Sequence, residues 1–149
     1  MTEADRLAIA NQLGRLARIL DGRRRGEVHG VFHDDVGFNY GDGREPPGIE
    51  ALRLQFSEYL DACGPSQHLL GSLIFEAAGA GAVVTRCYVQ ARHQGSSARS
   101  DRFLATNGEY VDRWERESGR LEGRPARRQL GGARGATPPS SRATEEAGS

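Results

Sequence analysis

The order of hydrophobic patterns predicts an α+β fold in which N-terminal helices cover one face of a curved antiparallel sheet. Three observations carry this. Apolar residues recur at helical spacing up to Gly64; two strand-like runs come next, joined by Gly79-Ala80-Gly81; a third such run spans Phe103 to Glu115. Helices first and strands afterwards is the α+β order, with a polar stretch, Gln94 to Arg102, between the last two strands.

From Thr2 to Asp21 the residues Ile9, Leu13, Leu16, Ala17 and Leu20 form one apolar stripe. Thr2 and Asp5 offer a capping box and Gly22 a stop. Arg23 to Phe32 reads as a shorter helix with Val28, Val31 and Phe32 inward, and Val36 to Tyr40 as a short strand. Ile49, Leu52, Phe56, Leu60 and Cys63 mark a third helix, closed by Gly64-Pro65. The strands are expected over Gln67 to Ala77, Ala82 to His93 and Phe103 to Glu115. A fourth strand is expected to be short or missing, because only Leu121 among the next residues suits a core, Gly123 weakens a strand and Pro125 cannot donate to a ladder. The expected domain is thus residues 1–119. Residues 120–149, rich in Arg, Gly, Pro and Ser, form an expected disordered tail, since so few apolar groups cannot offset the entropy of ordering.

Composition narrows the function. At 149 residues the chain fits one domain with one core. Its formal net charge of +0 supplies no field for holding nucleic acid or an anionic membrane. Every basic side chain is arginine, so phosphate-loop and Schiff-base lysine chemistry is excluded. Cys63 and Cys87 lack metal-like spacing and read as small hydrophobes in a reducing compartment. The N-terminus is acidic and periodic, unlike a signal peptide, and no run reaches membrane-spanning length, so a cytoplasmic protein is expected.

Two histidines stand out. A turn centred between Ala80 and Gly81 puts His68 directly opposite His93, where facing imidazoles share one side of the sheet. Imidazoles exchange protons near neutrality, and two that face each other resist double protonation, leaving one as base and one as donor. The opposite face would carry Leu69, Leu73, Phe75, Val84 and Tyr88, an apolar patch that suits a homodimer.

The Gln67-His68 pair, the Tyr88-Val89-Gln90-Ala91-Arg92-His93 run, Leu20-Asp21, Phe32-His33-Asp34-Asp35-Val36 and Gly108-Glu109-Tyr110-Val111-Asp112-Arg113-Trp114 resemble the SnoaL-like and scytalone-dehydratase-like branch of the NTF2-like superfamily. The resemblance covers residues 4–119. It implies a conical pocket and cofactor-independent acid/base catalysis, a dehydration, isomerisation or cyclisation, on a small cyclic or polyketide-like carbonyl compound. By the same resemblance Asp21 orients His93 as the general acid or base, His68 is its partner, and Tyr40 polarises the substrate oxygen. A second pocket tyrosine of that family is Leu20 here. The serine and asparagine that line its pocket on the third strand match Gly108 and Tyr110, which makes Tyr110 a substrate-binding candidate. His29 and His33, followed by Asp34 and Asp35, look superficially like metal ligands, but family members without metal carry the same Phe-x-Asp-Asp-Val sequence, so neither metal nor other cofactor is expected. The alternative is a non-catalytic small-molecule-binding or dimerisation module on the same fold.

Overall fold

A computed structural model describes residues 1–39, 47–79, 81–117 and 120–122. Helix α1 (Glu3–Asp21) and helix α2 (Ile49–Leu60) precede strands β1 (Cys63–Ala77), β2 (Val83–Gly95), β3 (Phe103–Glu117) and β4 (Arg120–Glu122). The strands form one antiparallel sheet in sequence order. This is the expected α+β arrangement.

Helix α1 begins on the expected capping box: the Asp5 amide donates to Thr2 Oγ1 at 3.2 Å, and the Thr2 amide donates to Asp5 Oδ2 at 2.8 Å. Two orphan donors are thereby satisfied. Its buried stripe, Ile9, Leu13, Leu16, Ala17, Ile19 and Leu20, packs into a core shared with Phe56 and Leu60 of α2 and Val83, Cys87, Val89, Tyr110 and Trp114 of the sheet. The short helix expected after α1 is a 3₁₀ helix, Arg25–Gly30, inside the expected span of Arg23 to Phe32. Val28, Val31 and Phe32 are buried. Instead of a continuous strand over Val36 to Tyr40, the described residues form isolated bridges at Gly37, which pairs with Pro47, and at Asn39, and Tyr40 lies outside the described residues. Helix α2 stops at Leu60, so Cys63 opens β1 instead of closing the helix.

Helix α1 closes by folding its last carbonyls back into hydrogen bonds. The Arg24 amide donates to Ile19 O at 2.9 Å and the Arg23 amide to Leu20 O at 3.2 Å, the paired 6→1 and 5→2 bonds of a Schellman closure. The left-handed residue this motif needs is Arg23, with φ 56°, one position beyond the Gly22 that the sequence offers as the stop. A side chain in that conformation costs about 1–2 kcal/mol that glycine avoids.

Strand β1 carries two irregularities against β2, between Cys63 and Ser66 and between Gly71 and Ile74. In each, two residues of β1 oppose one of β2, as in a β-bulge, which bends and twists the strand. At the first, the backbones close so tightly that a Cβ on Gly64 would stand 2.9 Å from Gly95 O. At the second, Ser72 adopts φ 53°. Beyond Ser72 the alternation inverts: Leu73 and Phe75 pack against the core, and Ile74 turns outward. The expected outer patch is therefore corrected. Leu73 and Phe75 do not belong to it, whereas Leu69, Ile74 and Tyr88 are exposed.

Strand β4, Arg120–Glu122, pairs with Glu115–Glu117 and is short, as expected. Residues 123–149, where the disordered tail is expected, lie outside the described residues.

A side-chain hydrogen bond crosses the buried end of the sheet. Trp114 Nε1 donates to Thr85 Oγ1 at 2.9 Å, with both residues fully enclosed. Thr85→Val keeps the shape but strands the indole donor, and an unsatisfied buried donor costs about 1–3 kcal/mol. We expect a loss of that size in urea unfolding, with Thr85→Ser recovering most of it; an unchanged unfolding midpoint for Thr85→Val would show that this bond contributes nothing.

Candidate functional site

The β1–β2 hairpin closes through a loop after the Ala77–Val83 pair, with the Ala82 amide donating to Gly79 O at 2.8 Å. Together with the bulge at Ser72, this shifts the register so that His68 faces Ala91 and His93 faces Ser66. His68 and His93 are diagonal neighbours rather than direct partners, which corrects the expected opposition. They still share the inner face of the sheet. Their ring centroids lie 5.4 Å apart with planes at 75°, an edge-to-face arrangement.

A different partner is found for Asp21. Its Oδ1 accepts from His68 Nδ1 at 2.7 Å, and its Oδ2 accepts from the His68 amide at 3.2 Å. The carboxylate expected to orient His93 therefore orients His68. The reason lies in the chain path. Asp21 ends α1 directly above the start of β1, and His68 is the inward residue of β1 at that height, whereas His93 is one strand further away.

His93 is held by residues that sequence reasoning does not single out. Its Nδ1 lies 2.8 Å from Ser66 Oγ. Arg23 Nη2 donates to Ser66 Oγ at 2.9 Å and to Gly64 O at 2.6 Å, while Arg23 Nη1 donates to Leu20 O at 2.9 Å. The signal in the sequence is slight: an arginine immediately after a helix-stop glycine, and a serine two residues before a candidate histidine.

The histidines meet at a cavity of about 320 Å³ between α2 and the inner face of the sheet. Its wall is mostly apolar, with Leu20, Phe56, Leu60, Val89, Ala91 and Tyr110. Gly108 and Tyr110 both line it, as expected for the third strand, and the Tyr110 side chain is buried. Cys63 also lines it and is a free thiol, as is the buried Cys87. His29 and His33 lie elsewhere: His29 Nδ1 is 3.0 Å from Asp34 Oδ1. Among the described residues, no group of three or more His, Cys, Asp or Glu is placed to hold a metal ion.

Burial pushes the His93 pKa below its usual value, and the neighbouring His68 and the Arg23 guanidinium push in the same direction, against a weaker pull from Asp21. At neutral pH His93 is therefore an uncharged imidazole.

A model of the SnoaL-like domain matches residues 2–123. The chain belongs to the SnoaL-like family. Its fold accordingly is the NTF2-like cone, with the helices closing a curved sheet. Solved structures agree. A protein provisionally named a scytalone dehydratase, from Novosphingobium aromaticivorans, superposes with a TM-score of 0.73 at 18% identity, over 90% of this chain and 85% of that one. Another from the same organism, provisionally named an aromatic ring hydroxylase, gives 0.75 at 22% identity over 91% and 96%. A hexachlorocyclohexane dehydrochlorinase from Novosphingobium barchaimii gives 0.72 at 16% identity over 92% and 96%. At these identities the likeness is one of fold. No curated protein matches the chain. Among the described residues, no helix of this SnoaL-like protein is long and apolar enough to cross a membrane.

The depressed His93 pKa makes a prediction for stability. The unfolded chain takes up this proton near 6.5, the native one only at lower pH, so between those values the unfolded state binds more protons and stability rises with pH. The contribution is complete above about pH 6.5 and declines as pH falls through the native value. Wild type should therefore lose more urea stability than His93→Asn between about pH 7.5 and about pH 5. Equal losses in the two proteins would contradict the assigned direction.

Proposed function

We propose that this SnoaL-like protein catalyses a cofactor-independent proton transfer, a dehydration, isomerisation or cyclisation, on a small cyclic or polyketide-like carbonyl compound. One observation carries the reading: a carboxylate-backed imidazole and a second, buried imidazole meet in one apolar cavity. The Asp21 carboxylate can only accept, so His68 Nδ1 carries a proton, and in the neutral ring the lone pair is on Nε2. That is the arrangement of a general base.

In this scheme His68 Nε2 removes a proton from the carbon beside the carbonyl, and the electron pair moves to the carbonyl oxygen. Asp21 stabilises the imidazolium that results. His93 supplies an N–H to the developing oxyanion, and the buried setting strengthens that bond. Return of the proton to a different carbon gives isomerisation. Expulsion of a β-hydroxyl, which leaves as water with the proton held by His68, gives dehydration. Tyr110 lies against the substrate. Tyr40, the expected polariser of the substrate oxygen, is outside the described residues.

The wall argues for an uncharged ligand. The cavity offers apolar side chains, and the nearby Arg23 is committed to two carbonyls and a hydroxyl. Its volume sits at the small end of ligand pockets, about 300–1,000 Å³. Support from relatives is consistent with a lyase: similar folds include a dehydrochlorinase and a provisionally named dehydratase.

The test begins with mass spectrometry of whatever small molecule co-purifies, then follows deuterium uptake from D₂O into that compound and into small cyclic ketones by NMR. Removal of a general base slows turnover about 10²–10⁴-fold, so His68→Ala should slow exchange by that factor, and Asp21→Asn should act in the same direction with the fold intact. Exchange at the wild-type rate in His68→Ala would end the proposal.

A further inference from the structure

The Arg23–Ser66–His93 chain gives His93 a defined proton arrangement. Ser66 Oγ already accepts from Arg23 Nη2 at 2.9 Å, so its hydroxyl hydrogen is free to donate. Two acceptors are in reach. Gly64 O stands 3.5 Å away and already accepts from Arg23 Nη2 at 2.6 Å, whereas His93 Nδ1 stands at 2.8 Å. A hydroxyl hydrogen bond is strongest near 2.7–2.8 Å and very weak at 3.5 Å, so the hydrogen goes to His93.

We propose that Arg23 and Ser66 are positioning residues that lock His93 as a neutral imidazole with Nδ1 accepting and Nε2–H donating. The inference rests on the reading of His93 as the hydrogen-bond donor of the proposed proton transfer. It also explains an otherwise costly choice. The position after Gly22 closes α1 in a left-handed conformation that favours glycine, yet it holds an arginine whose guanidinium reaches three acceptors on Leu20, Gly64 and Ser66. A charge there also opposes protonation of His93, because a cation at the far end of the same hydrogen-bond chain disfavours a second one. The charged and titratable groups around His93 are His68 on β1, Asp21 and Arg23 at the end of α1, and Cys63, Tyr59 and Tyr110 along the cavity.

The outcome is that the two histidines are set in complementary states by opposite charges. Asp21 makes His68 a proton acceptor at Nε2, and Arg23, through Ser66, makes His93 a proton donor at Nε2.

Long-range ¹H–¹⁵N NMR of the full chain reads the tautomer directly. Wild type should show a pyridine-type Nδ1 and a pyrrole-type Nε2 for His93. Ser66→Ala should lose that preference, with Nδ1–H becoming populated, and Ser66→Thr should restore it. Arg23→Gly suits the left-handed backbone and so keeps the helix closure, but it should raise the His93 titration midpoint toward the ordinary value. A protonated Nδ1 in neutral wild type, an unchanged tautomer in Ser66→Ala, or an unmoved midpoint in Arg23→Gly would each overturn the assignment. Turnover enters none of these readouts, so a protein inactive on every carbonyl compound would sink the proposed function and leave the tautomer assignment standing.

Discussion

The last turn of α1 is joined to the first residues of β1 by two charged side chains, and the site depends on that junction. Asp21 binds both the backbone and the ring of His68, and Arg23 binds Gly64 O and Ser66 Oγ. These bonds span more than forty positions of sequence and close the long loop that contains α2. They are partly buried, so water screens them less than it would a surface pair, and loss of either partner leaves a polar group in a poorly solvated place. Helix end, strand and cavity floor are thereby tied together.

The junction also sorts the chemistry. Asp21 accepts from the ring of one imidazole, while burial first, and then His68 and Arg23, disfavour charge on the other, so two chemically identical rings 5.4 Å apart are driven toward different roles. Reactive pairs need this division, since equal environments would leave two weak bases competing for one proton. The apolar wall completes the arrangement. With Phe56, Leu60 and Val89 on the wall, hydrogen bonds on that side of the cavity meet less competition from solvent than at a polar surface.

Backbone irregularity aims the side chains. A one-residue slip in an antiparallel pair carries every subsequent side chain to the other face, and β1 absorbs such a slip at Ser72. The hairpin loop contributes another displacement relative to a turn centred between Ala80 and Gly81. The two displacements restore the face, which is why His68 and His93 converge although they are not opposite one another. The same bulge takes Leu73 and Phe75 off the outer surface and puts them into the core.

Periodicity was sufficient to locate α1, α2 and the three long strands, because a 3.6-residue stripe and a two-residue alternation are properties of short stretches of chain. The family was legible as well, through short motifs in a recognisable order, and the histidine pair was legible because strand alternation fixes a face without fixing a register. The partner of Asp21 was not, since it depends on which strand the helix end overlies. Arg23 and Ser66 were missed for a related reason: an arginine in a turn and a serine before a strand are ordinary on their own, and only the Schellman closure and the bulge at Gly64-Pro65 bring them together. Local chemistry thus determined which elements form and which side chains are candidates; the packing of α1 against β1 decided which charge meets which imidazole, because electrostatic pairing acts through distances of a few ångströms that local sequence does not encode.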